Sequence, residues 1–233
     1  MIKQITIALV AALALIAVPG ARADLTTCRT GPGCLNGTDS YDWTNNYGAP
    51  FSPIPNGSTA TSNGGATLTV SLAGGGNGER RDQGNGWAGN FNPGDELFWT
   101  SSPGQGPLTF LFSNPLSGLG ANIQSDYFGS FTAQLQAFDI NGNLIDSQIE
   151  NGNSTSNGDG SAIFIGLTND PGIASATFSL TSSSNDVNDF AINQLDTVVA
   201  TPEPGFYVPV AGLMVALALA KLRKARELRT SEK

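Results

Sequence analysis

The chain of 233 residues contains no histidine, and it has no lysine between residues 24 and 200. A serine or cysteine nucleophile is normally activated by a neighbouring histidine, and in a second arrangement by a lysine. Neither arrangement is available in this part of the chain. A phosphate-binding loop also lacks support, because the glycine-rich stretch Gly74–Gly78 has neither the lysine nor the following helix that such loops use.

Positive charge is scarce in the same stretch. Residues 24–200 hold three arginines, Arg29, Arg80 and Arg81, against 16 acidic residues, which gives a formal net charge of −13. Such a field repels nucleic acid and anionic lipid, so no nucleic-acid partner is expected. The field tolerates bound calcium, whereas direct binding of an acidic polysaccharide would need a divalent ion as a bridge.

The N-terminus has the three parts of a secretory signal peptide over residues 1–23. Lys3 supplies the positive region, Ile5–Val18 the apolar run, and Ala-Arg-Ala at 21–23 the cleavage site. The mature chain is then expected to begin at Asp24. An uncleaved anchor is the alternative, but the apolar run is short for a membrane core of about 30 Å.

Cysteine is almost absent as well. The chain has two cysteines, Cys28 and Cys34, separated by Arg-Thr-Gly-Pro-Gly. In an exported chain a close pair of this kind predicts a disulfide, with a redox function as the alternative. A metal site on this pair is disfavoured because one pair without histidine offers too few soft ligands.

The C-terminal segment, residues 201–233, combines a short apolar run with a basic cluster. Phe206–Ala220 is 15 residues long and contains Pro209, whereas a spanning helix usually needs about 20 residues. Lysine and arginine side chains just beyond the run can extend its usable length by snorkelling. The basic residues, which are expected on the cytoplasmic side, are Lys221, Arg223, Lys224, Arg226 and Arg229. A solvated charged surface is the alternative.

This arrangement, with Pro202-Glu203-Pro204 directly before the apolar run, resembles the PEP-CTERM sorting segment of exported proteins in Gram-negative bacteria. The resemblance implies that a membrane-embedded protease, an exosortase, recognises the Pro-Glu-Pro motif. It implies that the protein is held in the inner membrane before processing. Afterwards the protein would reside at the cell surface or in the extracellular matrix, as a substrate in that step and not its catalyst.

Alternating apolar and polar residues predict an all-β fold for residues 24–200. Thr67–Leu72, Phe131–Ala137 and Ala174–Leu180 alternate as half-buried antiparallel strands do. Further predicted strands are Leu97–Thr100, Leu108–Phe112, Leu119–Gln124, Asn143–Ile149, Ala162–Leu167 and Phe190–Val199. Eight or nine short strands favour a jelly-roll-like β-sandwich. Residues 35–64 and 73–96 are expected to be rich in loops, the second of them mobile at Gly74–Gly78.

Two groups of oxygen-bearing side chains are candidate calcium ligands. Asp139, Asn141 and Asn143 alternate around a turn, and Asp186 and Asp189 precede the last strand. The first group is equally explained as the turn of a hairpin, because Asn141-Gly142 lies between two apolar runs.

Aromatic side chains are the candidates for sugar binding. Trp87 and Phe91 lie in a glycine-rich stretch expected to be a loop, whereas Trp99 and Phe128 are expected in the core. The favoured function is a non-catalytic binding or structural module of the extracellular matrix, with extracellular polysaccharide as a partner. The alternative is a carbohydrate-active enzyme using paired carboxylates, Asp95 with Glu96 or Glu79 with Asp82. A surface protein without a ligand is a third hypothesis.

Overall fold

The computed structural model describes residues 26–185 and 188–200, which form an all-β structure. Helix in these ranges is confined to α1 (Trp43–Tyr47) and a 3₁₀ turn over Pro32–Cys34, and none of it is long and apolar enough to span a membrane. The strands are β1 (Thr26–Cys28), β2 (Asp39–Tyr41), β3 (Pro53–Ile54), β4 (Thr59–Thr61), β5 (Thr67–Leu72), β6 (Gly78–Gln83), β7 (Gly86–Trp87), β8 (Glu96–Trp99), β9 (Leu108–Ser125), β10 (Gly129–Phe138), β11 (Leu144–Ser154), β12 (Ile163–Ser182), β13 (Phe190–Ile192) and β14 (Leu195–Val199).

The described strands join into one sheet of 14 strands with the main order β11-β10-β12-β9-β13-β8-β6-β3. The remaining strands branch from this path: β5 and β14 pair with β9, β4 with β5, β2 with β14, β1 with β12, and β7 with β6. The β6–β7 pair is parallel, and the other pairs are antiparallel. β9 is long enough to pair with β5, β14 and β13 along successive parts of its length, which gives the branches at β5 and β14.

The separation of β9 and β12 into short strands, which the sequence predicted, is wrong. The predicted strands Leu108–Phe112 and Leu119–Gln124 are parts of β9, which has 18 residues, and β12 has 20. The two strands pair along most of their length, with register shifts between Thr168 and Ile173 and again before Ser175. The pairing resumes after each shift, as it does at a β-bulge, and the chain does not reverse its direction there.

The main core draws side chains from strands that are not neighbours in the sheet, so the sheet curves around it in a sandwich-like manner. Trp43 of α1 is fully buried there. Its ring stacks on Phe110 at 5.8 Å and meets the edge of Phe98 at 5.4 Å. The Trp43 Nε1–H donates to the Asn193 carbonyl at 2.7 Å, so the polar end of this core residue is satisfied.

A second cluster covers the opposite face of strands β8 and β13. Successive side chains of a strand point to opposite faces. Phe98 and Ile192 therefore join the main core, whereas Leu97 and Ala191 join the second cluster. The second cluster consists of Trp87, Phe91, Leu97, Ala162 and Ala191, with the partly buried Trp99 packed against it. The stretch that carries Trp87 and Phe91 therefore folds back over the sheet.

Gly74–Gly78 is also better packed than its composition predicted. The Gly74 N–H donates to the Gln105 carbonyl at 2.8 Å, and the Gly76 N–H donates to Gln105 Oε1 at 2.9 Å. A Cβ on Gly74 would lie 2.6 Å from Gln105 Oε1, so glycine is needed for this close approach. The stretch is a hydrogen-bonded connection between β5 and β6.

Candidate functional site

A cavity of about 280 Å³ opens where α1, β8 and the link between β13 and β14 meet. Three of its side chains are carboxylic acids, and we call it the acidic pocket. It is lined by Asp42, Trp43, Gly94, Asp95, Glu96, Asn193 and Gln194. It holds both carboxylates of a predicted catalytic pair, Asp95 with Glu96, together with a third acid, Asp42, that the sequence did not indicate.

The backbone at the start of α1 positions the acids of the pocket. Asp42 is the N-cap residue of α1, and its Oδ1 accepts a hydrogen bond from the Asn45 N–H at 2.9 Å. Glu96 Oε2 accepts one from the Thr44 N–H at 3.3 Å. The first N–H groups of a helix have no partner within the helix, so both carboxyl groups are directed toward them.

The carboxyl groups of Asp42 and Glu96 lie within hydrogen-bonding distance of each other and titrate together. Burial, the hydrogen bond to Asp42 and the charge of Asp42 raise the pKa of Glu96. Burial also acts to raise the pKa of Asp42, but hydrogen bonds from Glu96 and from the backbone outweigh it and lower this pKa. When one proton is shared by the two acids, these opposite shifts favour its position on Glu96 and the negative charge on Asp42.

A buried arginine lies behind this pair. Arg80 is 1% exposed, and its Nη2 lies 2.6 Å from Asp82 Oδ1 and 3.7 Å from Glu96 Oε1. Its Nε–H donates to Thr44 Oγ1 at 3.0 Å. Because a buried charge must be paired, Asp82 serves as the counter-ion of Arg80. Asp82 is therefore engaged in an ion pair and does not stand free beside Glu79.

Glycoside hydrolysis requires two carboxyl groups about 5–9 Å apart, because a sugar or a water molecule must fit between them. Within the acidic pocket, the pair Asp42 and Glu96 does not have this spacing, since the two carboxyl groups are in direct contact. In the other predicted pair, Glu79 binds Arg81 at 2.7 Å and Asp82 binds Arg80. Asp42 and Glu96 instead cap the first N–H groups of α1.

No model of a known protein family and no curated protein sequence matches this chain. The roles of its residues are therefore inferred from the contacts that these residues make in the structure. The sequence analysis did not identify Arg80 or Asp42 as parts of a site, although the sequence contained an indication for Arg80. Two of the three arginines of residues 24–200, Arg80 and Arg81, are adjacent in the chain. In β6 the side chain of Arg80 lies on the buried face.

Trp87 and Phe91, the candidates for sugar stacking, are buried in the second cluster. Trp87 is 6% exposed and Phe91 1% exposed, and their rings meet at 6.3 Å within the second cluster. A Cβ on Gly89 would lie 2.2 Å from Trp87 Nε1, so the glycine allows the chain to close tightly over this ring. The expectation that Phe128 is a core residue is wrong, since it is 56% exposed.

Hydrogen bonds between buried amides hold this covering stretch in place. Gln124 Oε1 accepts from the Asn90 N–H at 2.6 Å, and Gln124 Nε2 donates to Asn90 Oδ1 at 2.9 Å and to Ser154 Oγ at 2.7 Å. Asn90 Nδ2 donates to Thr155 Oγ1 at 2.7 Å and to Ser161 Oγ at 2.8 Å. We call these contacts the amide network.

Asp139 and Asn141, proposed as calcium ligands, lie in the turn between β10 and β11. Asp139 Oδ1 accepts from the N–H groups of Asn141 and Asn143, each at 2.8 Å, and Oδ2 accepts from Asn143 Nδ2 at 2.9 Å. These hydrogen bonds lower the pKa of Asp139. Across the described ranges, no group of three His, Cys, Asp or Glu side chains is placed to hold a metal ion.

Asp189, the other described calcium candidate, is fully buried. Its Oδ1 accepts a hydrogen bond from Trp99 Nε1 at 2.6 Å, whereas its Oδ2 has no partner. Burial raises the pKa of Asp189 to about 7, the hydrogen bond from Trp99 opposes the rise, and the charge of Asp126 adds to it. Below pH 7 this carboxyl group is mostly protonated, and a protonated carboxyl group is a poor ligand for calcium.

Cys28 and Cys34 are joined by a disulfide whose Cα atoms lie 5.7 Å apart. The bond closes the 3₁₀ turn directly after β1 and buries Cys28 with Leu35 and Phe164. The remaining site predictions, which concern Asp186, Pro202-Glu203-Pro204, Lys221, Arg223, Lys224 and Arg226, lie outside the described residues.

Proposed function

We propose that the protein is an exported, surface or matrix protein whose C-terminal segment is processed by an exosortase-like protease. The observation that carries the proposal is the order Pro202-Glu203-Pro204, apolar run and basic cluster at the C-terminus, combined with a signal peptide at the N-terminus. In this function the protein is anchored in the inner membrane until it is processed. It then resides at the cell surface or outside the cell.

The domain ahead of this segment is a non-catalytic binding or structural module, with a jelly-roll-like β-sandwich as its form. The carboxylates of Asp42, Glu79, Asp82 and Asp139 are engaged with arginines or with helix and turn N–H groups, which supports a binding or structural role. The core shared by strands from distant positions in the sheet supports the sandwich. The contact between Asp42 and Glu96 weighs against the carbohydrate-active enzyme as the alternative.

Replacement of Pro202, Glu203 and Pro204 by alanine tests the sorting function. We expect the variant to stay in the membrane fraction of a Gram-negative host that carries the protease, whereas the wild-type chain is released. Immunoblots of the membrane and culture fractions measure the difference. Alanine at Thr230 and Glu232, beyond the basic cluster, is the matched control and should leave release unchanged. Normal release of the Pro-Glu-Pro variant would contradict the proposal.

A further inference from the structure

Next to the second cluster, an arginine lies between two aromatic rings. The guanidinium carbon of Arg81 lies 4.4 Å from the ring centroid of Phe51 and 4.7 Å from that of Trp99. Arg81 Nη2 also pairs with Glu79 Oε1 at 2.7 Å. We call Phe51, Arg81 and Trp99 the aromatic–arginine stack. A cation held against two ring faces in this way fixes the position of both rings.

Phe51 is the exposed member of the stack. It is 55% exposed, although a phenylalanine normally contributes to a core. Its φ of 73° lies in the left-handed region, which bulky side chains rarely adopt. The Phe51 N–H donates to the Arg80 carbonyl at 2.7 Å and holds this conformation. Strained residues of this kind occur mostly at binding sites, where the surrounding structure enforces them.

The stack is supported from behind. A Cβ on Gly86 would lie 2.8 Å from Arg81 Cδ and 3.0 Å from Phe51 Cε1, so the backbone of the turn after β6 packs directly against both side chains. On the other side, Trp99 is fixed by its hydrogen bond to the buried Asp189 at 2.6 Å. The exposed ring is therefore held in one position before any ligand arrives, which lowers the entropic cost of binding.

We infer that the exposed Phe51 ring is the stacking platform for a neutral sugar residue of an extracellular polysaccharide. The C–H face of a pyranose is apolar and packs on an aromatic ring, and the neighbouring Glu79 carboxylate can accept hydrogen bonds from sugar hydroxyls. A neutral polymer fits better than an anionic one, because residues 24–200 carry a formal net charge of −13 and Arg81 is already paired. The inference rests on the binding role proposed above and names its ligand class and site.

Affinity electrophoresis of the full chain tests this inference, in gels that contain a soluble neutral β-glucan, a galactomannan or anionic alginate. We expect retardation by a neutral polymer and not by alginate. Phe51→Gly should weaken the interaction by at least about 10-fold, because it removes the stacking surface. Phe128→Ala is the matched control: Phe128 is 56% exposed and, among the described residues, stacks on no ring or guanidinium.

Glycine is chosen at position 51 so that a loss of binding can be distinguished from a loss of folding. Glycine adopts a positive φ without steric cost, so Phe51→Gly should still unfold in one cooperative transition, as the wild type does, while it loses binding. Wild-type retardation by alginate alone, retention of neutral-polymer binding by Phe51→Gly, or an equal loss in Phe128→Ala would each overturn the inference. So would the absence of retardation by any polymer. None of these results would affect release at the Pro-Glu-Pro motif, which tests the sorting function separately.

Discussion

The amide network and the carboxyl group of Asp189 are both buried polar arrangements beside the second cluster, and they differ in whether every polar atom has a partner. In the amide network, each side-chain oxygen and nitrogen of Asn90 and Gln124 forms at least one hydrogen bond. In Asp189, Oδ1 accepts a hydrogen bond from Trp99 and Oδ2 accepts none. A charge-neutral network and a half-satisfied acid therefore lie within one region of the fold.

The comparison separates two effects of burying polar groups. A fully bonded neutral network fixes the position of the chain and does not change with pH. A buried acid with one free oxygen is more stable when protonated, so the fold depends on pH through it. The amide network serves to hold the covering stretch over Trp87, whereas Asp189 holds Trp99 and confers sensitivity to pH.

The largest effect is expected from Asn90→Ala, which would leave the amide of Gln124 and the N–H of Thr155 without their partner Asn90 Oδ1. Because unsatisfied buried groups are costly, the free energy of unfolding should fall by about 3 kcal/mol. Denaturant unfolding followed by fluorescence measures it. Asn157→Ala, at an exposed position in the same region, should change it by less than about 0.5 kcal/mol. Equal effects of the two substitutions would contradict the role given to the network.

A smaller effect is expected from pH acting on Asp189. Its pKa is raised from 3.8 to about 7 in the folded state, so its stabilising contribution is complete below pH 4 and is lost as the pH rises through 7. Between pH 5 and 8 the free energy of unfolding should fall by an amount on the order of 2 kcal/mol, after allowance for solvent screening.

Asp189→Asn is the matched variant, because its amide oxygen can still accept the hydrogen bond from Trp99. The difference in free energy of unfolding between variant and wild type should shift in favour of the variant as the pH rises from 5 to 8. Thermal melts of both proteins at several pH values give this difference. Parallel curves for the two proteins would show that Asp189 does not titrate in this range.

The smallest effect is expected from calcium. An ion that binds only the folded state raises the melting temperature by mass action, yet Asp189 favours its neutral form and Asp139 is bonded within its own turn. Melting the full chain in EDTA and then in millimolar calcium should shift the midpoint by less than about 1 °C. A rise of several degrees in wild type that Asp189→Asn abolishes would place calcium at this carboxyl group.

Alternation of apolar and polar residues was sufficient to predict the all-β class and strands such as β5 and β10. It could not predict that β12 continues past Thr168 with a shift of register instead of ending there, because its continuation depends on pairing with β9. The same limit applies to the sites. Trp87 lies among glycines that indicate a loop, but its burial depends on Gln124, 37 positions away in the chain. The residues around Phe51 in the sequence did not indicate a binding site, because the exposure and the φ of Phe51 result from its contacts with Arg80 and Arg81.

The position of β14 has a mechanical consequence. β14 is the last described strand and pairs with β2 on one side and β9 on the other. A tether attached after residue 200 would transmit its load to β14 first. A pull along the strand must shear the hydrogen bonds to both neighbours together, whereas a strand at the edge of the sheet could peel away one bond at a time. A protein fastened through its C-terminal end is thus loaded through a strand that resists force on two sides.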